Sequence, residues 1–215
     1  EVLAAHSVVR AGGRLRVSSM EARPVNGGAA RKFSVDALIT SAGWTPTVHL
    51  FSQSRGKLVF DEQRGIFIPG ENAQDCVSVG ACNGTDDLER MVSEAIAAGS
   101  GKVKLKVKGP SYAGGMSGAS PGEEEKPVKA FIDFQNDVTA KDIRLAVREG
   151  MHSIEHVKRF TTNGMATDQG KLSNMHGLAI AAEALGKPIP KVGLTTFRSP
   201  YTPVTFGSIV NHAKG

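Results

Sequence analysis

The sequence contains little cysteine, few aromatic residues and no long apolar run. Its 215 residues include 2 cysteines, Cys76 and Cys82, and aromatic residues make up 6% of the chain. Two cysteines at this spacing supply neither a disulfide framework nor a zinc site, and they fit a reducing compartment. No apolar run approaches the roughly 20 residues that a membrane-spanning helix requires. We therefore expect a cytoplasmic protein that does not cross a membrane.

The charge pattern argues against nucleic acid as a partner. The formal charge is +5, but the basic residues are dispersed and the aromatic residues are too few to form a base-stacking platform. Basic residues are concentrated in one segment, Lys102–Lys108, where lysine alternates with Val and Leu. This alternation is typical of a solvated strand edge, and a strip for docking a partner is the alternative.

The first third of the chain has the pattern of an α/β domain. We predict that residues 1–9 end a helix and that Arg14–Arg23 and Lys32–Ser41 are strands joined at the Asn26–Gly28 turn. Ala37–Ile39 is fully apolar, which indicates a strand end buried on both faces. Because the chain begins with Glu and contains no G-x-G-x-x-G loop, we expect the phosphate-binding half of such a domain to lie upstream.

The next segment adds strands and a helix around a glycine-containing junction. Gly65–Gly70 is predicted to be a strand and turn, Cys76–Gly80 a buried strand, and Thr85–Ala98 a helix with Leu88 and Met91 on its inner face. Trp44 and Phe51 are interpreted as core residues, with interface anchors as the alternative. Asp36–Pro46 resembles the segment of two-dinucleotide-binding flavoproteins in which a strand enters a Gly-x-x-Pro turn.

That resemblance implies a dinucleotide site at the strand–helix junction. Gly80 matches the flavoprotein pattern, but Ala81 replaces the aspartate that holds a cofactor hydroxyl, so NAD is favoured over FAD. A helix beginning at Gly84–Thr85 offers N–H groups to an anionic dinucleotide. The alternative is that Asn83, Thr85 and Asp86 simply cap the helix. The candidate NAD residues are Gly43, Gly80, Ala81, Asn83, Thr85, Asp86 and Leu88.

Residues 109–127 are rich in Gly, Ser, Pro and Glu, which is typical of a linker. After it, Asp137-Val138-Thr139 precedes a helix that ends at Gly150, and Ser153 is a predicted N-cap of a second helix carrying Ile154, Val157 and Phe160 inward. Met175–Leu185 is a third predicted helix, ended by Gly186 and Pro188. The spacing therefore predicts a small, mostly helical module.

This layout resembles the small [2Fe-2S] domain of the bacterioferritin-associated-ferredoxin type, aligned on Val138-Thr139 and Gln169-Gly170. The four positions that hold cysteine in that family are Asp133, Gln135, Asp168 and Ser173. Since an iron–sulfur cluster needs thiolate ligands, the resemblance implies a ferredoxin-like module without its cluster.

The run V-K-R-F-T-T-N-G-M-A-T-D-Q-G-K, residues 157–171, is similar to the corresponding run of the alpha subunits of heterotetrameric sarcosine oxidases. The resemblance implies an oxidoreductase that demethylates sarcosine to glycine, with oxygen as acceptor, giving hydrogen peroxide and formaldehyde or methylenetetrahydrofolate. It implies beta, gamma and delta partner subunits, NAD and folate in the alpha subunit, FMN between subunits and FAD in a partner. It also places Asp168, Lys171 and Arg198 beside FMN, with ordinary surface ion pairing as the alternative.

Two other functions stay open from the sequence: a non-catalytic docking module, and the alpha subunit of a related amine or proline dehydrogenase. His152 and His156 match H-x-x-E-H, the inverted zincin signature, but Glu183 is the only acidic residue on a downstream predicted helix that could be the third ligand, so we predict no metal site. No catalytic residue stands out.

The predicted fold class is thus the C-terminal part of an α/β dinucleotide-binding domain followed by a cluster-less, ferredoxin-like helical domain. The expected division is residues 1–108 for the NAD-binding part, 109–127 for the linker, 128–187 for the helical domain and 188–215 for a connection into an aminomethyltransferase-like domain.

Overall fold

The computed structural model of the chain describes residues 2–41, 43–99, 101–102, 107–109, 115–116, 129–199 and 202–210. Most of the predicted linker 109–127, and the centre of the Lys102–Lys108 run, lie outside these residues. No helix in the described ranges is long and apolar enough to cross a membrane.

The chain starts with a three-stranded antiparallel sheet of β1 (His6–Gly13), β2 (Val17–Pro24) and β3 (Arg31–Ser34), in that order. The predicted hairpin around Asn26–Gly28 is confirmed as the β2–β3 connection. The predicted helix end at residues 1–9 is wrong, because His6–Val9 pair with β2 across a bulge. The prediction for Ala37–Ile39 is also wrong: these three residues belong to no strand, and Ile39 is exposed.

The next elements form the framework around one cavity. They are β4 (Gly43–Trp44), α1 (His49–Gln53) and the hairpin of β5 (Leu58–Asp61) and β6 (Ile66–Pro69), which buries Ile66 and Phe67. The Asp61 carboxylate accepts the N–H groups of Gln63 and Arg64 and so fixes this hairpin turn. β7 (Gly115–Met116) pairs with β4. Phe51 is a core residue, as expected, whereas Trp44 is 74% exposed and is not.

The junction before the second helix differs from the prediction. Cys76–Val79 is not a strand, and Val77 is largely exposed; the segment runs into a 3-10 turn, Gly80–Asn83. Helix α2 (Leu88–Ala98) begins three residues later than expected, because the Asp87 side chain accepts the N–H of Arg90 and caps it. The alternating valines mimic a strand pattern, but no described strand pairs with them.

The helical module is confirmed in outline. β8 (Phe131–Asp133) and β9 (Val138–Thr139) lead into α3 (Ala140–Arg148), α4 (Ile154–Thr161) and α5 (Asn174–Ala184). Thr139 and Asp142 form a capping box at α3, and Ser153 caps α4 as predicted. Its core consists of Ile132, Val138, Ala140, Ile143, Ala146, Val157, Ile180 and Ala181. Phe160, expected to point inward, is about half exposed.

The last described segment joins the two parts of the chain. After α6 (Ile189–Val192), residues 193–199 run as an extended strap, followed by α7 (Phe206–Ile209). The N–H of Thr196 donates to Glu155 Oε1 of α4 at 2.9 Å. Phe197 is buried against His49 of α1, with 3.8 Å between the ring centroids. The strap therefore contacts both the helical module and the N-terminal α/β part.

Candidate functional site

A cavity of about 520 Å³ lies between β4, the 3-10 turn and α2. This volume is within the range of small-molecule sites, about 300–1,000 Å³. Three of the predicted NAD residues, Ala81, Thr85 and Asp86, line it, and Gly43 precedes the lining residue Trp44. The cavity is lined by Trp44, Thr45, Pro46, Thr47, Arg64, Ala81, Gly84, Thr85, Asp86 and Met91.

Arg64 fixes one wall of this cavity, and the sequence did not single it out. Its Nη1 donates to the Gly84 carbonyl at 2.7 Å, and its Nη2 lies 3.8 Å from the Asp86 carboxylate. Gly84 has φ +81°, and a side chain there would collide with Ile68 and crowd the Arg64 guanidinium. The turn 84–86 is therefore held by an arginine twenty residues upstream.

Two of the predicted NAD residues, Gly80 and Thr85, bind a carboxylate of the protein itself. Glu94 of α2 accepts the Gly80 N–H at 2.7 Å and the Thr85 hydroxyl at 2.6 Å. The Thr85 and Gly80 hydrogen bonds, with smaller contributions from the Arg90 charge and from Asn83, hold the pKa of Glu94 below its ordinary value, and burial opposes them. Leu88 packs against the Gly109 backbone. The sequence signal for Glu94 was its place three residues after Met91, on the face predicted to be apolar.

The N-terminus of α2 already has an anionic partner. The Asp87 carboxylate occupies the position at which a phosphate would accept from the first helical N–H groups. Together with Glu94, it places two carboxylates at the junction. The junction therefore suits an uncharged part of a ligand better than a pyrophosphate.

Of the four positions aligned with cluster ligands, three accept hydrogen bonds from backbone N–H groups through their side chains: Asp133, Gln135 and Asp168. Asp133 is 3% exposed; its Oδ1 accepts the N–H groups of Gln135 and Asn136, and its Oδ2 accepts the Gly164 N–H at 2.8 Å. Gln135 Oε1 accepts both the N–H and the hydroxyl of Thr167. These bonds tie the β8–β9 turn to the loop after α4.

The remaining two positions lie on the same loop. The Asp168 carboxylate accepts the N–H groups of Gly170 and Leu172, which closes a turn before α5. Ser173 is buried, and its hydroxyl has no hydrogen-bond partner among the described residues. Across the described ranges, no group of three or more His, Cys, Asp or Glu residues is arranged to hold a metal ion. Of the zincin-like residues, Glu183 pairs with Arg144 and Glu155 with Arg159.

The predicted FMN residues Lys171 and Arg198 have different neighbours. Lys171 Nζ donates to the Asp168 carbonyl at 3.3 Å, and Lys171 lines a small cleft with His49 and Phe197. Arg198 follows Phe197, and its charge affects Lys158 of α4. Burial lowers the pKa of Lys158, the Glu155 charge raises it, and the Arg198 charge lowers it further. Lys171 thus lies beside the strap at Phe197, and Arg198 is the strap residue that follows Phe197.

His49 lies where α1 meets the strap. Burial, with a contribution from the Lys171 charge, lowers its pKa to about 4. His49 is therefore a neutral ring at neutral pH, packed on Phe197 between the two parts of the chain.

Residues 127–212 match the family described as the sarcosine oxidase A3 domain. The chain is 38% identical over 203 residues to "Sarcosine oxidase subunit alpha" of Rhizobium meliloti (strain 1021), covering 88% of the chain and 20% of that protein. It is 34% identical over 206 residues to the same-named subunit of Corynebacterium sp. (strain U-96), covering 88% and 21%. The chain belongs to the sarcosine oxidase alpha-subunit family. It spans about a fifth of the length of these curated relatives.

A solved structure supports the fold. The "Crystal structure of L-proline dehydrogenase from P.horikoshii" matches with a TM-score of 0.67 at 20% identity, over 95% of this chain and 44% of that one. The sarcosine oxidase alpha-subunit segment thus shares the mixed α/β fold of that structure, and the expected mixed α/β class is confirmed at that level.

The Asp133 hydrogen bonds generate the first prediction. Asp133→Asn replaces one acceptor oxygen by an amide that cannot accept, so either Gly164 or the pair Gln135 and Asn136 loses its acceptor. Leaving a buried N–H unpaired costs about 1–3 kcal/mol of the free energy of unfolding. Urea denaturation measures the loss.

Asp137→Asn is the matched control. It removes the same charge from the neighbouring turn, at an exposed residue with φ +54° that asparagine tolerates. Equal stabilities of the two variants would contradict the role of Asp133.

The second prediction concerns His49 and pH. Because its folded pKa, about 4, lies below the unfolded value of 6.5, the unfolded chain takes up the proton first as the pH falls. Its stabilising contribution is complete above the unfolded pKa and is lost between pH 6.5 and about 4, by up to roughly 3 kcal/mol. His49→Phe keeps a buried ring and should flatten this part of the stability–pH curve, whereas His152→Phe, at an exposed position, should not. Parallel curves for the two variants would show that His49 does not titrate as described.

Proposed function

We propose that the chain is a segment of the alpha subunit of a sarcosine oxidase complex, an enzyme that oxidatively demethylates sarcosine to glycine. Oxygen is the acceptor, and the products are hydrogen peroxide and formaldehyde or methylenetetrahydrofolate. The observation that carries the proposal is the 38% identity to a sarcosine oxidase alpha subunit over 88% of the chain. The segment itself supplies scaffold and cofactor contacts rather than catalytic residues.

The proposed complex contains beta, gamma and delta subunits beside this one and works in the cytoplasm. FAD and the substrate lie in a partner subunit, and FMN lies at the subunit interface. Both cysteines, Cys76 and Cys82, are free thiols, which suits a reducing compartment. No nucleic acid and no membrane enter the function.

We divide the chain as residues 1–108, 109–127, 128–187 and 188–215. The third unit is a ferredoxin-like helical domain without its iron–sulfur cluster. Its donor set supports this: carboxylates, an amide and a hydroxyl replace four thiolates, and two of these side chains, Asp133 and Gln135, already bind backbone groups of the facing loop. A [2Fe-2S] cluster does not fit these residues.

NAD fits the cavity in part. Ala81, Thr85 and Asp86 line it, so they would contact the ligand directly, while Gly43, Gly80, Asn83 and Leu88 would shape the surrounding backbone. The pyrophosphate does not fit beside Glu94 and Asp87, so it would be held by the upstream part of the subunit. Affinity of the isolated chain for NAD should accordingly be weak.

FMN would meet the surface beside the strap. Lys171 and Arg198 carry the positive charge that a flavin phosphate requires, and Asp168 shapes the turn that presents Lys171. The strap contact at Phe197 fixes where both cations stand relative to α1.

The third prediction tests the activity of the full subunit, co-produced with the products of its neighbouring genes. Sarcosine should drive oxygen consumption with an equal yield of hydrogen peroxide, while proline should not. Turnover of proline with an electron-accepting dye and none with oxygen would favour a proline dehydrogenase. Absence of any amine oxidation by a flavin-loaded complex would leave the docking module as the function.

A further inference from the structure

Trp44 is held at the surface by a fixed backbone. Gly43 and Trp44 pair in antiparallel register with Met116 and Gly115, and the indole is 74% exposed. A tryptophan side chain stabilises a fold most when it is buried, because its apolar surface is large. The exposed indole therefore leaves a large apolar surface in water, and a bound ligand would cover that surface.

The exposed indole borders the cavity of about 520 Å³ described above. Thr45, Pro46 and Thr47 continue from it along the rim, and Met91 of α2 also lines the cavity. Met91 is anchored beside Gly80, where a Cβ would lie 3.7 Å from its side chain. An indole and a thioether thus line the same cavity, and both groups make favourable contacts with planar rings.

The charge of the lining decides which part of a dinucleotide enters. Arg64 and Asp86 are its charged residues; they lie 3.8 Å apart, and Arg64 also donates to the Gly84 carbonyl. The opposite charges compensate each other, so the cavity has no surplus cation for a pyrophosphate. The exposed hydroxyls of Thr45 and Thr47 can instead serve the polar edge of a ring.

We propose that Trp44 is the stacking platform for a planar heteroaromatic ring of the nucleotide, adenine or nicotinamide, and that the cavity is a ring subsite rather than a phosphate subsite. The proposal rests on the nucleotide site proposed above. In it, Arg64 is a positioning residue: it holds the Gly84–Asp86 turn in the cavity lining and does not meet phosphate. Specificity for the ring then comes from stacking on the Trp44 indole and from hydrogen bonds between the ring's polar edge and the hydroxyls of Thr45 and Thr47.

The test uses the 215-residue chain, in which Trp44 is the single tryptophan and so the single indole fluorophore. AMP and nicotinamide mononucleotide are titrated separately, and binding is followed by Trp44 fluorescence and by the methyl resonance of Met91. One mononucleotide should quench the fluorescence in a saturating curve whose midpoint equals that of the Met91 shift. The mononucleotide that does so identifies the ring.

Three variants separate the outcomes. Trp44→Leu should weaken the Met91-detected binding about tenfold, because ring stacking is lost, while Trp44→Phe should retain most of it. Phe134→Leu, a control at an equally exposed aromatic residue of the helical module, should bind as the unchanged chain does. Unchanged affinity in Trp44→Leu, with Met91 still shifting, would overturn the platform and leave the nucleotide site standing. Absence of a Met91 shift with either mononucleotide at millimolar concentration would overturn both.

Discussion

The buried carboxylate of Asp133 is the interaction on which the helical module depends. One oxygen closes the β8–β9 turn through two N–H groups, and the other accepts the Gly164 N–H from the loop that follows α4. A carboxylate with three N–H donors is satisfied without a counter-ion, which is why it can be buried here. The two loops that contain the positions aligned with cluster ligands are therefore joined by hydrogen bonds.

The loop that Asp133 holds also packs tightly, and it contacts the N-terminal part of the chain. Gly164 and Gly170 both have positive φ, and a Cβ at either would collide with the buried Asn174 side chain. The loop from Gly164 to Asn174 thus has little freedom, and it delivers Lys171 to the cleft beside His49 and Phe197. The strap at Phe197 then couples the helical module to α1 and so to the cavity framework.

The helices of the module could be predicted because their signals are local. Thr139 with Asp142, and Ser153, are capping residues adjacent in sequence to the helices they start, and Ile143 and Val157 follow the helical period. The candidate nucleotide site was predicted less well, since its geometry depends on distant partners. Arg64 meets Gly84 and Glu94 meets Gly80, contacts that no local pattern encodes. Trp44 and Val77 were expected to be inside because they are apolar, but a side chain is buried only where another element covers it.

We propose that hydrogen bonds hold this module together where related ferredoxin-like domains carry a metal cluster, and that the module is part of a flavin enzyme. The most direct measurement is the absorption spectrum of the anaerobically purified complex of the full subunit with its partners, combined with assays of iron and acid-labile sulfide. The account predicts flavin absorption with neither iron nor sulfide bound in stoichiometric amount. Stoichiometric iron and sulfide, or a complete complex without flavin, would contradict it.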